Sequence, residues 1–267
     1  MKRLRLKGKL IFLEVVLRIA LIGDTHANLP ALEAVLAHAQ QNRIDAIWNL
    51  GDFVGYGAFP DEVVKELWRR EATSILGNYD RKVLKVYEKR EAGSDNKNPT
   101  KSLAFKWAYD HLSRESRSYL HSLPEQRLIA LGELYTLMTH GSPLSRSEHL
   151  TPFTPEDRLR GLTHTTRARV ILCAHSHQPF ARRVDDVWFV NPGSVGRPDD
   201  GDPRASYAIL SISAGQFQVE HYRIEYDVAR AIAAIQAAQL PEEFALMARL
   251  GRSLDWILTQ RGSIAAD

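Results

Sequence analysis

The sequence predicts an α/β protein in which two β-sheets pack together with helices outside. Three observations carry this. Up to Asp80 the chain repeats one unit: a short apolar run, a polar tip, then a helical stretch. That is the signature of βαβ connections and a largely parallel sheet. The second half instead holds neighbouring apolar runs joined by tight turns, which read as hairpins. Finally, 267 residues with 44% hydrophobic and 25% charged side chains can bury a sizeable core and have an ordinary globular make-up.

The elements follow in order. The first strand is about Arg18–Ile22. Asn28-Leu-Pro30 opens a helix, with proline in the first turn where its missing N–H costs nothing, and Leu32, Val35 and Leu36 give it an apolar stripe. A second strand, Ala46–Leu50, ends in Gly51-Asp52, and a helix follows through Asp61–Leu67. A third strand, Thr73–Leu76, ends in Gly77-Asn78-Tyr79-Asp80. The polar stretch 87–100 reads as a loop, and 102–121 as one helix ending before Pro124. Arg127–Ala130 and Leu134–Met138 form a hairpin around Gly132, ending in Thr139-His140-Gly141. The polar region 142–167 contains a short helix after Pro155. Val170–Cys173 is a buried strand ending in Ala174-His175-Ser176-His177. Strands around Phe180–Val184 and Val187–Val190 turn at Asp185-Asp186, and Ser206–Ser211 pairs with Gln216–Ile224 over Ser213-Ala214-Gly215. The end is helical, with stripes at Val228, Ile232 and Ile235 and at Leu246, Leu250, Leu254 and Ile257, separated by Pro241.

Composition excludes several function classes. The net charge is +3, but Lys2, Arg3, Arg5, Lys7, Lys9 and Arg18 face only Glu14 in the first 18 residues. The surplus therefore sits in a short tail while the body is slightly acidic, and a nucleic-acid-binding face is not implied. Cys173 is the single cysteine, so no disulfide forms within the chain and a reducing, cytoplasmic setting is expected. The start mimics a secretory signal, but Glu14, Arg18 and Asp24 interrupt it, and the apolar runs fall far short of the ~20 residues of a membrane span. Residues 1–16 are read as an N-terminal extension.

Five strand ends carry one kind of chemistry: Asp24 with His26, Asp52, Asn78, His140, and His175 with His177. Ligands sit at the C-terminal edge of such sheets. Singly, each motif has a bland explanation. Asp-x-His is usually a turn, Gly-Asp a helix cap and Gly-Asn a left-handed turn residue. Repetition at successive strand ends defeats that explanation. The donors are imidazole, carboxylate and one amide, without thiolate, which suits Mn²⁺, Fe, Zn²⁺, Co²⁺ or Ni²⁺. Seven donors exceed the needs of one ion and suit two sharing a bridging carboxylate. Paired ions serve in-line phosphoryl transfer, where charge develops on the attacking and leaving oxygens alike.

Gly23-Asp-Thr-His-Ala-Asn28, Gly51-Asp52, Gly77-Asn-Tyr-Asp80, His140-Gly141 and Ala174-His-Ser-His177, in that order, resemble the calcineurin-like metallophosphoesterase superfamily, in particular its small prokaryotic phosphodiesterase branch. Asn191-Pro-Gly-Ser194 is similar to that branch as well. The resemblance covers 17–225, with 87–167 as a partly helical rim and 226–267 as C-terminal helices. It implies a four-layer αββα sandwich of two mixed sheets. It also implies two divalent ions, Mn²⁺ favoured. Asp24, His26 and His177 would hold one ion, Asn78, His140 and His175 the other, and Asp52 would bridge. A hydroxide between the ions would attack phosphorus. The expected substrate is a phosphodiester, a small organic phosphate or a nucleotide. A dinucleoside polyphosphate hydrolase and a non-catalytic scaffold on the same fold stand as alternatives; the oligomeric state is open.

The chain departs from its relatives at Tyr79, where many carry a histidine that contacts phosphate or protonates the leaving group, oriented by a following acid, here Asp80. Tyr79 and Asp80 are therefore the catalytic candidates, although an ordinary tyrosine pKa near 10 suits proton shuttling poorly. A second departure, Gly55 where the phosphoprotein phosphatase branch has an acid before Arg-Gly, argues against a protein phosphatase of that type. Asn28 and Arg197 are the substrate-binding candidates. Against these stand helix capping for Asn28 and pairing with Asp199, Asp200 or Asp202 for Arg197.

Overall fold

A computed structural model describes residues 2–6, 9–13, 16–87, 98–213 and 216–264. Most of the N-terminal extension is a hairpin of β1 (Lys2–Leu6) and β2 (Lys9–Leu13), forming a two-stranded sheet of its own. The repeating half follows as β3 (Leu17–Ile22), α1 (Leu29–Gln41), β4 (Ala46–Asn49), α2 (Pro60–Arg69), β5 (Thr73–Ser74) and α3 (Asn78–Leu84). Next come α4 (Pro99–His111), α5 (Arg114–Ser122), the hairpin β6 (Gln126–Leu131) and β7 (Leu134–Thr139), α6 (Glu156–Thr163) and β8 (Val170–Leu172). The chain continues through β9 (Phe180–Val184), β10 (Val187–Asn191), β11 (Ala205–Ser213), β12 (Gln216–Ile224), α7 (Val228–Ala237), α8 (Glu242–Leu250) and α9 (Leu254–Ile264).

Two five-stranded mixed sheets result, in the orders β12-β11-β3-β4-β5 and β6-β7-β8-β10-β9. In the first, β3 pairs parallel with β4 (Ile22 opposite Asn49) and antiparallel with β11. In the second, β8 runs parallel to both β7 and β10. Thus β3, β4, β7 and β8 send their C-terminal ends to one edge of the sandwich. The alternation within strands divides the core. Ile19 and Leu21 of β3 face Leu172 and Val190 of the second sheet, whereas Ala20 and Ile22 face Leu32 and Val35 of α1. Each fully buried Leu or Ile stabilises by about 1.5–3 kcal/mol, so this double-sided apolar sandwich holds the tips in place. Leu159 and Leu162 of α6 cover the outer face of the second sheet, completing the four layers.

Three expectations need correction. The third strand is only two residues long, because Leu76 N–H leaves the sheet to donate to Pro124 O (2.8 Å) and the chain then turns into Gly77. The single helix over 102–121 is two: Ser113 caps α5 through Ser116 N–H, and Asp61 accepts the Ser113 N–H at 2.9 Å. The last helical stripe is split at Gly251, whose φ of +58° ends α8 in the left-handed conformation glycine tolerates. The loop expected over 87–100 and the turn Ser213-Ala214-Gly215 lie partly outside the described residues. Among the described residues, no helix is long and apolar enough to cross a membrane.

Candidate metal centre

The strand tips are bound to one another rather than to solvent. Asp24 N–H donates to Gly51 O (3.0 Å), His26 N–H to Asp52 O (2.9 Å) and Ala174 N–H to His140 O (2.8 Å). Gly51, at φ +91°, lies so close to Gly77 that an added Cβ would sit 2.4 Å from its nitrogen. That approach brings the ends of β4 and β5 together.

Two clusters of inward-facing donors follow: Asp24, His26 and His177, and Asp52, His140 and His175. His140 Nε2 lies 3.4 Å from Asp52 Oδ2 and 3.9 Å from Asp24 Oδ1, so the clusters share one chamber. Asn78 Oδ1 is 2.9 Å from His140 Nε2, which adds the amide to the second cluster. All seven expected donors therefore converge. The ring orientations are fixed from behind. His140 Nδ1 meets Leu50 O at 2.8 Å, His177 Nδ1 meets Arg197 O at 2.6 Å and His26 Nδ1 meets Val54 O at 3.3 Å. A carbonyl only accepts, so each Nδ1 carries a proton and each Nε2 turns inward, as metal-ligating histidines do.

The chamber fits cations and little else. Asp24 Oδ1 and Asp52 Oδ2 are buried without a hydrogen-bond partner, as are both ring nitrogens of His175. His26 and His177 point Nε2 at each other across 3.3 Å. Unpaired buried acceptors and opposed lone pairs are costly unless a positive charge lies between them. The groups also perturb one another. Burial opposes the charge on Asp24, but His177, His140 and His175 outweigh it and hold the acid at about 2. Burial likewise opposes the His140 imidazolium, but Asp52 and Asp24 raise it to about 10. Burial, with His140 beside it, lowers His175 to about 3.

The remaining candidates separate. Asp80 is fully buried, and its carboxylate accepts from the backbone N–H of Asp52 (2.9 Å), Gly77 (3.0 Å) and Val54 (3.2 Å). It ties the two strand tips. Burial and then the Asp52 charge push its acid up to about 7. The Tyr79 hydroxyl meets the Tyr56 hydroxyl at 2.7 Å, and the Tyr79 ring stands edge-on to His26. Asn28 caps α1 through Ala31 N–H, and its amide donates to Gly196 O and Tyr226 Oη, so the side chain is spent on structure. Arg197 makes none of the expected carboxylate pairs: Asp202 pairs with Arg204, Asp200 with Arg223, and Asp199 lies 4.0 Å from His177 Nδ1. Its guanidinium instead lies 4.8 Å from the Tyr56 ring centroid, with Nε buried and unpartnered.

Two neighbours escaped the sequence reading. His149, assigned to a polar loop, sets its ring 4.2 Å from that of His175. Tyr56, in a glycine-rich turn, is buried against Arg197 and Phe244. No local signal marks either one; both are brought in by distant segments.

Comparison with known proteins agrees with this architecture. The domain model described as Calcineurin-like phosphoesterase superfamily domain matches residues 17–215. The uncharacterized protein MJ0912 of Methanocaldococcus jannaschii is 32% identical, over 88% of this chain and 98% of its own. Phosphodiesterase YfcE of Escherichia coli is 26% identical over 73% of this chain and 88% of its own. A crystal structure of a metallophosphoesterase from Sphaerobacter thermophilus aligns with a TM-score of 0.73 at 32% identity, covering 88% of this chain and 99% of that one.

Proposed function

The chain belongs to the calcineurin-like phosphoesterase superfamily, and from that premise we propose that it hydrolyses a phosphodiester or small organic phosphate with two divalent metal ions, Mn²⁺ foremost. The observation that carries this reading is the pair of buried donor clusters in one chamber, Asp24/His26/His177 and Asp52/His140/His175. Asn78 would add its amide to the second cluster, and Asp52, facing His26 and His140 alike, would serve both ions. Two such ions, when bound, supply a nucleophile at neutral pH and Lewis acidity at the phosphoryl oxygens.

The protein groups contribute the rest. Arg197, a half-buried cation whose guanidinium stacks on Tyr56 and whose backbone carbonyl meets His177 Nδ1, is the candidate partner for a phosphoryl oxygen. The Tyr79 hydroxyl, held by Tyr56, offers a neutral hydrogen bond where many relatives have a histidine. A neutral phenol is a weak proton donor, so substrates with good leaving groups are favoured. Asp80 positions Asp52 and Gly77 and does not touch substrate; Asn28 shapes the loop. The single buried thiol, Cys173, suits a cytoplasmic enzyme.

The test combines metal analysis with hydrolysis of methyl p-nitrophenyl phosphate in Mn²⁺. Wild type binds close to two ions and turns over. Asp24→Ala and His177→Ala fold but lose activity by several orders of magnitude. Full activity in either variant refutes the site.

A further inference from the structure

Resting on the phosphoesterase reading above, we propose that the crevice beside the metal centre seats one ester arm of the substrate and that this arm is short and apolar, making the preferred substrate class alkyl phosphodiesters. The crevice is lined by His26 and Arg197, by the Tyr56–Phe59 segment and by helices α7 and α8. Its walls are Tyr56, Phe59, Ile235, Phe244 and Met247, with Ala231 and Ala248 opening the space.

The lining combines one charged group with apolar walls. Arg197 presents a guanidinium whose Nε is buried and lacks a partner. The side-chain polar groups of Tyr56 and Asn28 are already engaged. The Tyr56 hydroxyl is paired with Tyr79 at 2.7 Å, and the Asn28 amide with Gly196 O and Tyr226 Oη. A sugar or other hydroxylated arm would forfeit its hydrogen bonds to water there, whereas an alkyl arm would not. Size sets the second limit. The cavity volume is only ≈ 20 Å³, room for about one small group. A nucleobase or phenyl ring does not fit while Phe244 packs edge-on against Tyr56 at 5.1 Å. On this assignment the C-terminal helices are part of the specificity pocket.

The test uses p-nitrophenyl esters of methyl, ethyl, butyl and phenyl phosphate on the Mn²⁺-loaded protein. From the transfer free energy of one buried methylene, kcat/KM rises about fourfold from methyl to ethyl, then falls for butyl and phenyl. Phe244→Ala shifts the optimum towards butyl and phenyl. Ala248→Met, at a half-exposed position, removes the gain from methyl to ethyl. Calorimetric titration with the corresponding alkyl(methyl)phosphinates, whose arms are joined by P–C bonds and cannot be hydrolysed, gives the same rank order in affinity. A flat response to arm length, or an unchanged one in both variants, overturns the proposal and leaves the phosphoesterase reading intact. Metal-loaded protein that hydrolyses none of the esters overturns both.

Discussion

Asp80→Asn distinguishes a structural tie from a catalytic acid. The Asp80 carboxylate serves three backbone donors: Oδ2 takes Asp52 and Gly77 N–H, and Oδ1 takes Val54 N–H. In the variant, the amide oxygen keeps the two bonds at Oδ2, and the NH₂ is forced against the Val54 N–H. One bond is lost, two buried donors oppose each other, and the rest lose their charge assistance. An unsatisfied buried donor costs about 1–3 kcal/mol, so the sum is about 2–4 kcal/mol. At about 2–4 °C per kcal/mol for a chain of this size, Tm drops by roughly 4–16 °C. Because Asp52 hangs from this tie, Mn²⁺ affinity falls about tenfold to a hundredfold, as for other outer partners of metal ligands. At saturating Mn²⁺, kcat stays within about threefold of wild type, the interaction being equal in ground and transition states. Thermal melts, metal titration and kcat at saturation are the assays. A Tm within 2 °C of wild type together with a hundredfold loss of kcat would refute the argument and return Asp80 to the chemistry.

Metal uptake at pH 7 releases about one proton from His140, because that imidazolium, raised to about 10, must be neutral to coordinate. Its contribution to metal-free stability is complete below about pH 6.5 and lost as pH rises through about 10, so Mn²⁺ affinity gains about tenfold per pH unit between 7 and 9; calorimetry in buffers of different ionisation enthalpy measures the proton, and its absence contradicts the assignment. Arg197→Met raises KM about tenfold to a hundredfold, the worth of one charge-assisted hydrogen bond, and leaves Tm unchanged or higher because the buried Nε has no partner to lose; an unaltered KM excludes contact with phosphate. Asp61→Asn costs about 1 kcal/mol or less at pH 7, after discounting for solvent screening. Burial opposes the Asp61 charge, but Lys65, Ser116 and Ser113 hold the acid at about 2, so its stabilisation is present above about pH 4 and disappears as pH falls through about 2; urea melts at pH 7 and pH 2.5 show the difference shrinking.

What the sequence made legible follows from where specification is local. A buried strand announces itself by its apolar run, and a polar group directly after it has one destination, the C-terminal edge. Asp24, His26, Asp52, Asn78, His140, His175 and His177 were readable for that reason. Arg197 was not, because its orientation depends on competitors. Three aspartates follow within five residues, and local pairing is the natural inference. In the fold, Asp200 is taken by Arg223 of β12 and Asp202 by Arg204, leaving Arg197 to stack on Tyr56. Tyr56 owes its place to Phe244, far along the chain, and His149 to the rim that folds over His175. The break between α4 and α5 was missed because the apolar spacing continues through it while a single serine caps the second helix.

The strand tips pay a conformational penalty that clarifies why they are stitched together. Five donors have left-handed backbones: Asp24 (φ 52°), His26 (47°), Asp52 (55°), His175 (65°) and His177 (58°). For residues with a Cβ this conformation costs roughly 1–2 kcal/mol each, and five of them together rival the net stability of a typical domain, about 5–15 kcal/mol. Such a set persists only if its surroundings over-determine it. Here they do. Gly51 O and Asp52 O receive the Asp24 and His26 N–H groups, Asp24 O and Gly23 O receive Gly196 and Val195, and Asp24 Oδ2 receives His175 N–H at 3.0 Å. Each of these bonds joins two different tips, so no tip can relax alone. The strain turns successive carbonyls and side chains to opposite sides within two or three residues. An Asp-x-His or His-x-His pair can thereby send both donors into one chamber while its backbone bonds outward. The short spacing seen in the sequence is thus a consequence of this backbone geometry, and the sheets beneath supply the rigidity that makes it sustainable.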